Sequence, residues 1–516
     1  MSSRAGGPVA SGATLALNTV WNLAGMILPA LAALVAIPVL IGRLGEARFG
    51  ILTLAWVLSI LFTLSDLGLS RATTNLLARG WEEESRLHLA RVFWASLAVL
   101  VLLGTMAGAL FAGLTPWLVD TILRTPVELR GEAVRGFLLL AASAPVVLAG
   151  GPFRSLLEST QSFGRLNAVR IPISLLNYLG PLVLSFVTPR LDFAIGVIAA
   201  TRVAGFVGFA VQAYRVTPDL LVPARPSGAV ARELLRVGAW FGVTGITLPA
   251  VAALDRLIIG ARLSLADVGH YAAPYEVVTR LWFLSGSLLI VMFPVFSALR
   301  DTGELRLAYW RAVRYLFLPT ALAASLLVTF SPELFTMWLG AEFGAASAPV
   351  AQWLALGVLA SVVGQVPFTF LMTTGRRAVA GVVHLVEVPL YAAAAWLLAG
   401  HLGIVGVAAA WAARAVAEAA VLFVCAAAVT PAARSDGQRG LVLRMISTGA
   451  ALLVSACLVG FFASGQALLK FAFMLAIVSV FLGWSWRALL EPSERAGLHS
   501  MPGDLLRSIG ARRTVQ

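Results

Sequence analysis

Apolar residues run along this chain in long unbroken stretches, not in alternation. Cutting at clusters of charge, proline and glycine leaves fourteen stretches: 15–41, 49–69, 92–118, 136–157, 167–188, 191–214, 235–260, 268–298, 313–331, 348–373, 378–400, 402–428, 441–463 and 467–487. A helix of about 20 apolar residues crosses the roughly 30 Å hydrocarbon core of a bilayer. Strands of a membrane barrel would alternate apolar and polar positions, so the continuous runs argue against a porin-like barrel. The pattern predicts an all-α polytopic membrane protein of about fourteen transmembrane helices. Between the second and third stretches, Leu76–Leu89 is amphipathic and is expected to lie along the cytoplasmic surface.

Composition agrees. Apolar residues make up 59% and charged residues 12% of the 516, about half the charged share of a soluble domain; mean hydropathy is +0.89. The net charge is +13, and all but one of the 38 basic residues are arginine. Nucleic-acid binding is not needed to explain this excess, because the basic residues are distributed unevenly between the two sides. With both termini inside, the cytoplasmic segments hold 26 of them and the outer segments nine. Cytoplasmic loops of membrane proteins carry such an excess, so both termini of this multi-pass protein are expected in the cytoplasm. The polar stretch after Arg4 and the length of the first apolar segment predict no cleavable signal. Cys425 and Cys457 both fall inside apolar stretches and form no disulfide or zinc framework.

The longest polar linker, 215–236, contains Pro218, Pro223 and Pro226. It divides the chain into an N-terminal lobe (1–215, spans one to six), a cytoplasmic linker (216–234) and a C-terminal lobe (235–430, spans seven to twelve). Residues 431–516 add spans thirteen and fourteen and a cytoplasmic tail. The halves echo each other: Gly151-Pro152-Phe153 with Gly164-Arg165 matches Val366-Pro367-Phe368 with Gly375-Arg376. Six spans per half give both lobes the same orientation, so a pseudo-two-fold along the membrane normal would relate them.

The first span carries Asn18 and Asn22. Leu44-Gly45 with Phe49-Gly50 follows, and then Asp66-Leu67-Gly68. This opening, and the layout of nearly the whole chain, resembles the polysaccharide-transport branch of the multidrug/oligosaccharidyl-lipid/polysaccharide exporter superfamily, the Wzx-like flippases. The resemblance implies fourteen helices, where drug-exporting relatives have twelve. It also implies translocation of an undecaprenyl-pyrophosphate-linked oligosaccharide by alternating access, for O-antigen, capsule or exopolysaccharide. A polysaccharide polymerase and chain-length machinery are the protein partners it suggests. Two alternatives stay open. One is a drug or peptidoglycan-precursor exporter of the same superfamily, and the other is a polyprenyl-sugar glycosyltransferase or polymerase.

Three arginines fall near mid-span: Arg202, Arg280 and Arg414. A charge at the bilayer centre costs about 2.5–3.5 kcal/mol on insertion scales, and such residues face a protein interior or wet cavity. The planar guanidinium fork matches two phosphate oxygens and stays charged, so these three are the candidate ligands for a pyrophosphate headgroup. Glu276 and Glu418 stand four residues from Arg280 and Arg414, which leaves i,i+4 pairing as an equal alternative for those two. Arg202 has no acid within four positions. Glu387, with His384 one turn earlier, is the candidate for proton or sodium coupling. Asp66 and Asp255 are expected to cap helix ends or to pair with Arg71 and Arg256. No Gly-x-x-x-x-Gly-Lys loop is present for ATP, and no metal site or other cofactor is expected. The first outer loop offers no acidic pair for glycosyl transfer, and there is no large outer domain. A transporter is therefore favoured over an enzyme.

Overall fold

The computed structural model describes residues 12–495 apart from 65, 84, 226, 300, 301, 375, 430–432, 434–438, 464 and 493. The side chains of Asn18 and Asn22, and the tail beyond 495, lie outside the described residues. In a bilayer every backbone polar group must be satisfied within the protein, and continuous apolar runs therefore fold as helices. The helices are α1 (Gly12–Leu44), α2 (Glu46–Leu64), α3 (Leu69–Glu83), α4 (Arg86–Trp117), α5 (Val127–Ser159), α6 (Phe163–Ser185), α7 (Leu191–Val216) and α8 (Gly228–Arg262). They continue as α9 (Leu265–Val278), α10 (Trp282–Ala298), α11 (Thr302–Leu339), α12 (Ala341–Thr373), α13 (Arg377–Val429), α14 (Arg439–Phe462) and α15 (Ala467–Ala488).

Among the described residues, ten helices are long and apolar enough to cross a membrane. One of these, α13, holds two passes that separate at Gly403, whose φ of 60° and ψ of −144° are not helical. The eighth pass is broken: α9 and α10 are joined by a tight 3-10 turn, Thr279–Leu281. Counting α9–α10 as one pass, with α2 and α8, gives the expected fourteen. The protein is an all-α polytopic membrane protein.

The motifs of the opening have local physical roles. Gly45 ends α1 with φ +80°, a conformation glycine adopts without strain. A Cβ on Gly50 would lie 1.8 Å from the carbonyl oxygen of Leu265, so only glycine lets α2 touch the start of α9. Asp66 accepts a hydrogen bond from the Gly68 amide (2.7 Å) in the turn between α2 and α3. The amphipathic stretch is shifted from the expectation. Ser85 caps α4 by accepting from the His88 amide (3.3 Å), so the short helix ends at Glu83 and the next begins at Arg86. That short helix does not lie free on a surface. Leu69, Thr73 and Leu77 of α3 are buried; Ser155 of α5 donates to the Ser70 carbonyl (2.7 Å), and Thr73 shares a hydrogen bond with Ser96 of α4 (2.7 Å).

By packing, the chain forms two compact units: residues 1–273 with 384–407, and residues 274–383 with 408–516. The division into 1–215, 216–234, 235–430 and 431–516 follows chain topology instead and stands as a proposal.

In the first unit, the connections that alternation assigns to one side of the membrane do meet. Arg48, beside the α1–α2 hinge, makes a fork of two 3.0 Å bonds to Glu132 at the start of α5. Glu132 also accepts from the Leu191 amide at the start of α7 (2.8 Å), and Arg43 donates to the Ser185 carbonyl at the end of α6 (3.0 Å). At the opposite ends, Thr74 of α3 donates to Glu158 of α5 (3.1 Å). Small residues let α4 and α5 pack closely, as is common in membrane helices. A Cβ on Gly108 would stand 2.5 Å from the Ala141 carbonyl oxygen.

In the second unit, α14 and α15 are pinned to α11 along its length. Arg314 is buried and donates to Glu491 (2.9 Å) and Glu494 (2.8 Å), just past α15. Thr329 donates to the Ala456 carbonyl (3.1 Å), and Lys470 donates to Glu333 (2.6 Å).

Candidate functional site

Arg202 lies roughly 17 Å along α7 from Leu191, at 1.5 Å per residue. That is about half the depth of a hydrocarbon core. Its Nη2 donates to the Ser59 hydroxyl of α2, and Ser59 is buried. Its Nε is buried with no acceptor. Among the described residues it has no carboxylate partner, so its charge is balanced by nothing stronger than a hydroxyl dipole. That arrangement is costly unless an anion visits.

The other two arginines are arranged differently. Arg280 sits on the 3-10 turn between α9 and α10, half-exposed, and donates to Glu276 at 2.9 Å. Arg414, on the second half of α13, donates to Glu418 at 2.8 Å, and both are buried. Its guanidinium also stands over the Trp411 ring, 5.6 Å from the centroid. Both i,i+4 pairs that the spacing allowed are formed. Arg202 belongs to the first packing unit, and Arg280 and Arg414 to the second.

His384 and Glu387 meet as their spacing requires: Nδ1 and Oε1 are 2.9 Å apart, and both side chains are largely buried. One helical turn beyond Glu387, on the same face of α13, is Tyr391. Its hydroxyl donates to Asp255 of α8, and Tyr271 of α9 donates to the other oxygen of the same carboxylate (2.9 Å). Asp255, expected at a helix end, is fully buried within α8. The neighbouring Arg256, also buried, donates to the Thr53 carbonyl of α2 (3.4 Å). The polar seam of the first unit is therefore longer than the sequence suggested. Tyr271, Tyr391 and the depth of Asp255 were missed, because three separate passes contribute to it. The only signal available was the Glu387–Tyr391 spacing, which puts both on one face.

A family model described as polysaccharide biosynthesis protein matches residues 15–300. A Shigella flexneri protein named as a candidate O-antigen transporter is 24% identical over 411 residues, spanning 78% of this chain and 96% of that protein. The uncharacterized membrane protein EpsK of Bacillus subtilis (strain 168) is 24% identical over 343 residues, 63% of this chain and 66% of that one. Among solved structures, the lipid II flippase MurJ in an inward closed conformation aligns with a TM-score of 0.68 at 11% identity, covering 92% of this chain and all of that one. An inward-facing multidrug resistance transporter of the MATE family aligns with a TM-score of 0.60 at 16% identity, covering 81% and 96%. The fold is that of these transporters.

Proposed function

Because this chain belongs to the polysaccharide biosynthesis protein family, we propose that it flips an undecaprenyl-pyrophosphate-linked oligosaccharide across the inner membrane by alternating access. The oligosaccharide would serve O-antigen, capsule or exopolysaccharide. The observation that carries this reading is Arg202, a guanidinium at mid-membrane depth held by a hydroxyl and by no described carboxylate. A pyrophosphate supplies the missing negative charge at the part of the substrate that must cross, while the polyprenyl chain stays in lipid. A cationic drug would be repelled there. Arg280 and Arg414 are proposed as further phosphate ligands, each having to exchange its own glutamate for the substrate. The proposed cycle rocks two lobes, 1–215 and 235–430, with both termini cytoplasmic, as the 26-to-9 distribution of basic residues favours.

Vesicles holding the purified protein and a lipid-linked oligosaccharide test the reaction class. A flippase moves the sugar to the other leaflet with its mass unchanged. A change in mass of the lipid-linked sugar would make the protein a glycosyltransferase or polymerase instead.

Glu387 with His384 is proposed as the ion-coupling pair. Glu387→Gln keeps the shape of the side chain and one acceptor oxygen but cannot take up and release a proton. Transport by this variant is expected to lose its dependence on an imposed ion gradient, measured in the same vesicles. Full transport with an unchanged gradient dependence would remove Glu387 from the coupling role.

A further inference from the structure

The apolar groove between α5, α6 and α7, in the first packing unit, is capped by more positive charge than its carboxylates balance. The groove has a volume of about 580 Å³ and is walled by Leu138, Leu139, Leu184, Phe193 and Val197, with Arg135 and Asp192 at its rim. Ligand pockets span roughly 300–1,000 Å³, so it has room for part of an acyl chain. At the rim, Arg135 donates to Asp192 (2.8 Å), and Arg190 donates to the same carboxylate through two bonds of 2.8 and 3.2 Å. Two guanidiniums thus share one carboxylate, and each remains about half exposed. A third, Arg43, is fixed on the Ser185 carbonyl, next to Leu184 of the groove wall, and lies 4.2 Å from the Phe186 ring centroid. Arg43 has no carboxylate partner among the described residues. The nearby Arg48–Glu132 pair is self-neutral.

These cations stand on the side of the membrane that holds only nine of the basic residues. A structural tie between connections needs no unbalanced charge, and Arg48–Glu132 already supplies one. We infer that this groove binds an anionic phospholipid of the outer leaflet, with its phosphate among Arg43, Arg135 and Arg190 and an acyl chain along Leu138, Leu139 and Phe193. The leaflet rests on the orientation proposed above; the binding does not. The site would make the first unit sensitive to lipid composition at the ends of four of its helices.

The test uses the full chain, purified and reconstituted in nanodiscs, with retained lipids read by native mass spectrometry after exchange against phosphatidylglycerol or phosphatidylcholine. Wild type is expected to retain phosphatidylglycerol selectively. Arg43→Gln and Arg135→Gln each leave the Arg190–Asp192 pair in place, so folding is preserved. Each is expected to weaken retention by about 5- to 10-fold, less than a buried charge-assisted hydrogen bond would cost, because both guanidiniums are partly solvated. Gly196→Leu is the second kind of variant: a Cβ there meets only Leu139, at 3.4 Å, so the new side chain fills the groove without altering charge. It is also expected to lose the lipid. Equal retention of the two phospholipids by wild type would overturn the inference, as would unchanged selectivity in all three variants. Displacement of phosphatidylglycerol only by polyprenyl phosphate, with no phospholipid selectivity, would assign the groove to the transported lipid instead. Arg202→Ala should retain phosphatidylglycerol like wild type, which separates this site from the substrate site.

Discussion

Arg202→Ala is expected to leave the protein folded and to cut export of surface polysaccharide by about 10- to 100-fold, the scale of one lost charge-assisted hydrogen-bonding group. Lipid-linked repeat units should accumulate on the inner leaflet, as measured by their accessibility to a sugar-modifying enzyme in inverted and right-side-out vesicles. The fold should survive because the protein gains little from this side chain. Its one hydrogen bond among the described residues is to Ser59, and an intramembrane charge is costly to keep. Removing it lightens a burden on stability while removing the phosphate fork. Arg202→Lys keeps the charge but loses the planar two-donor geometry, so an intermediate defect is expected. Normal surface polysaccharide in the alanine variant would sink the role given to Arg202.

The second large effect concerns Arg414 and Glu418. Both side chains are buried and 2.8 Å apart, so Glu418→Gln removes a carboxylate charge at hydrogen-bond distance from a buried guanidinium. Breaking a buried pair from one side costs about 3–5 kcal/mol, whereas replacing both partners by apolar residues is often neutral or better. The single variant should therefore show a large fall in thermal stability in detergent, and the double variant Arg414→Leu/Glu418→Leu should recover it. The double variant also decides between the two roles of Arg414. If it folds and transports, the arginine is a structural partner of Glu418; if it folds and fails to transport, it is a phosphate ligand. Arg280–Glu276 should behave differently. It is partly exposed, and such pairs typically contribute about 0.2–1 kcal/mol, so breaking this ion pair should cost less stability than breaking Arg414–Glu418.

The passes were legible because each apolar run had to bury its own backbone polarity, and because charge and glycine mark where a run ends. Gly403 divides the eleventh and twelfth passes where the pattern placed the boundary. The 3-10 turn at Thr279–Leu281 was not legible, since an apolar run reads the same whether the helix is regular or tightened. The short helix after the second pass was misplaced because its amphipathic period continues through Ser85, whose capping bond actually ends it. Of the candidate residues, the arginine pairs were legible from i,i+4 spacing alone, and so was the isolation of Arg202. The two tyrosines on Asp255 were not, because that carboxylate is satisfied by passes far apart in the chain. Helical spacing reports one face of one helix and is silent about which faces meet.

The central claim is that an unneutralised guanidinium in the first unit recognises the phosphates of a lipid-linked substrate. Competitive binding of polyprenyl pyrophosphate and uncharged polyprenol to the purified protein, read by native mass spectrometry for wild type and Arg202→Gln, tests it most directly. Wild type should prefer the pyrophosphate, and the glutamine variant should lose most of that preference while remaining folded. The same preference in both proteins, or none in wild type, would contradict the account.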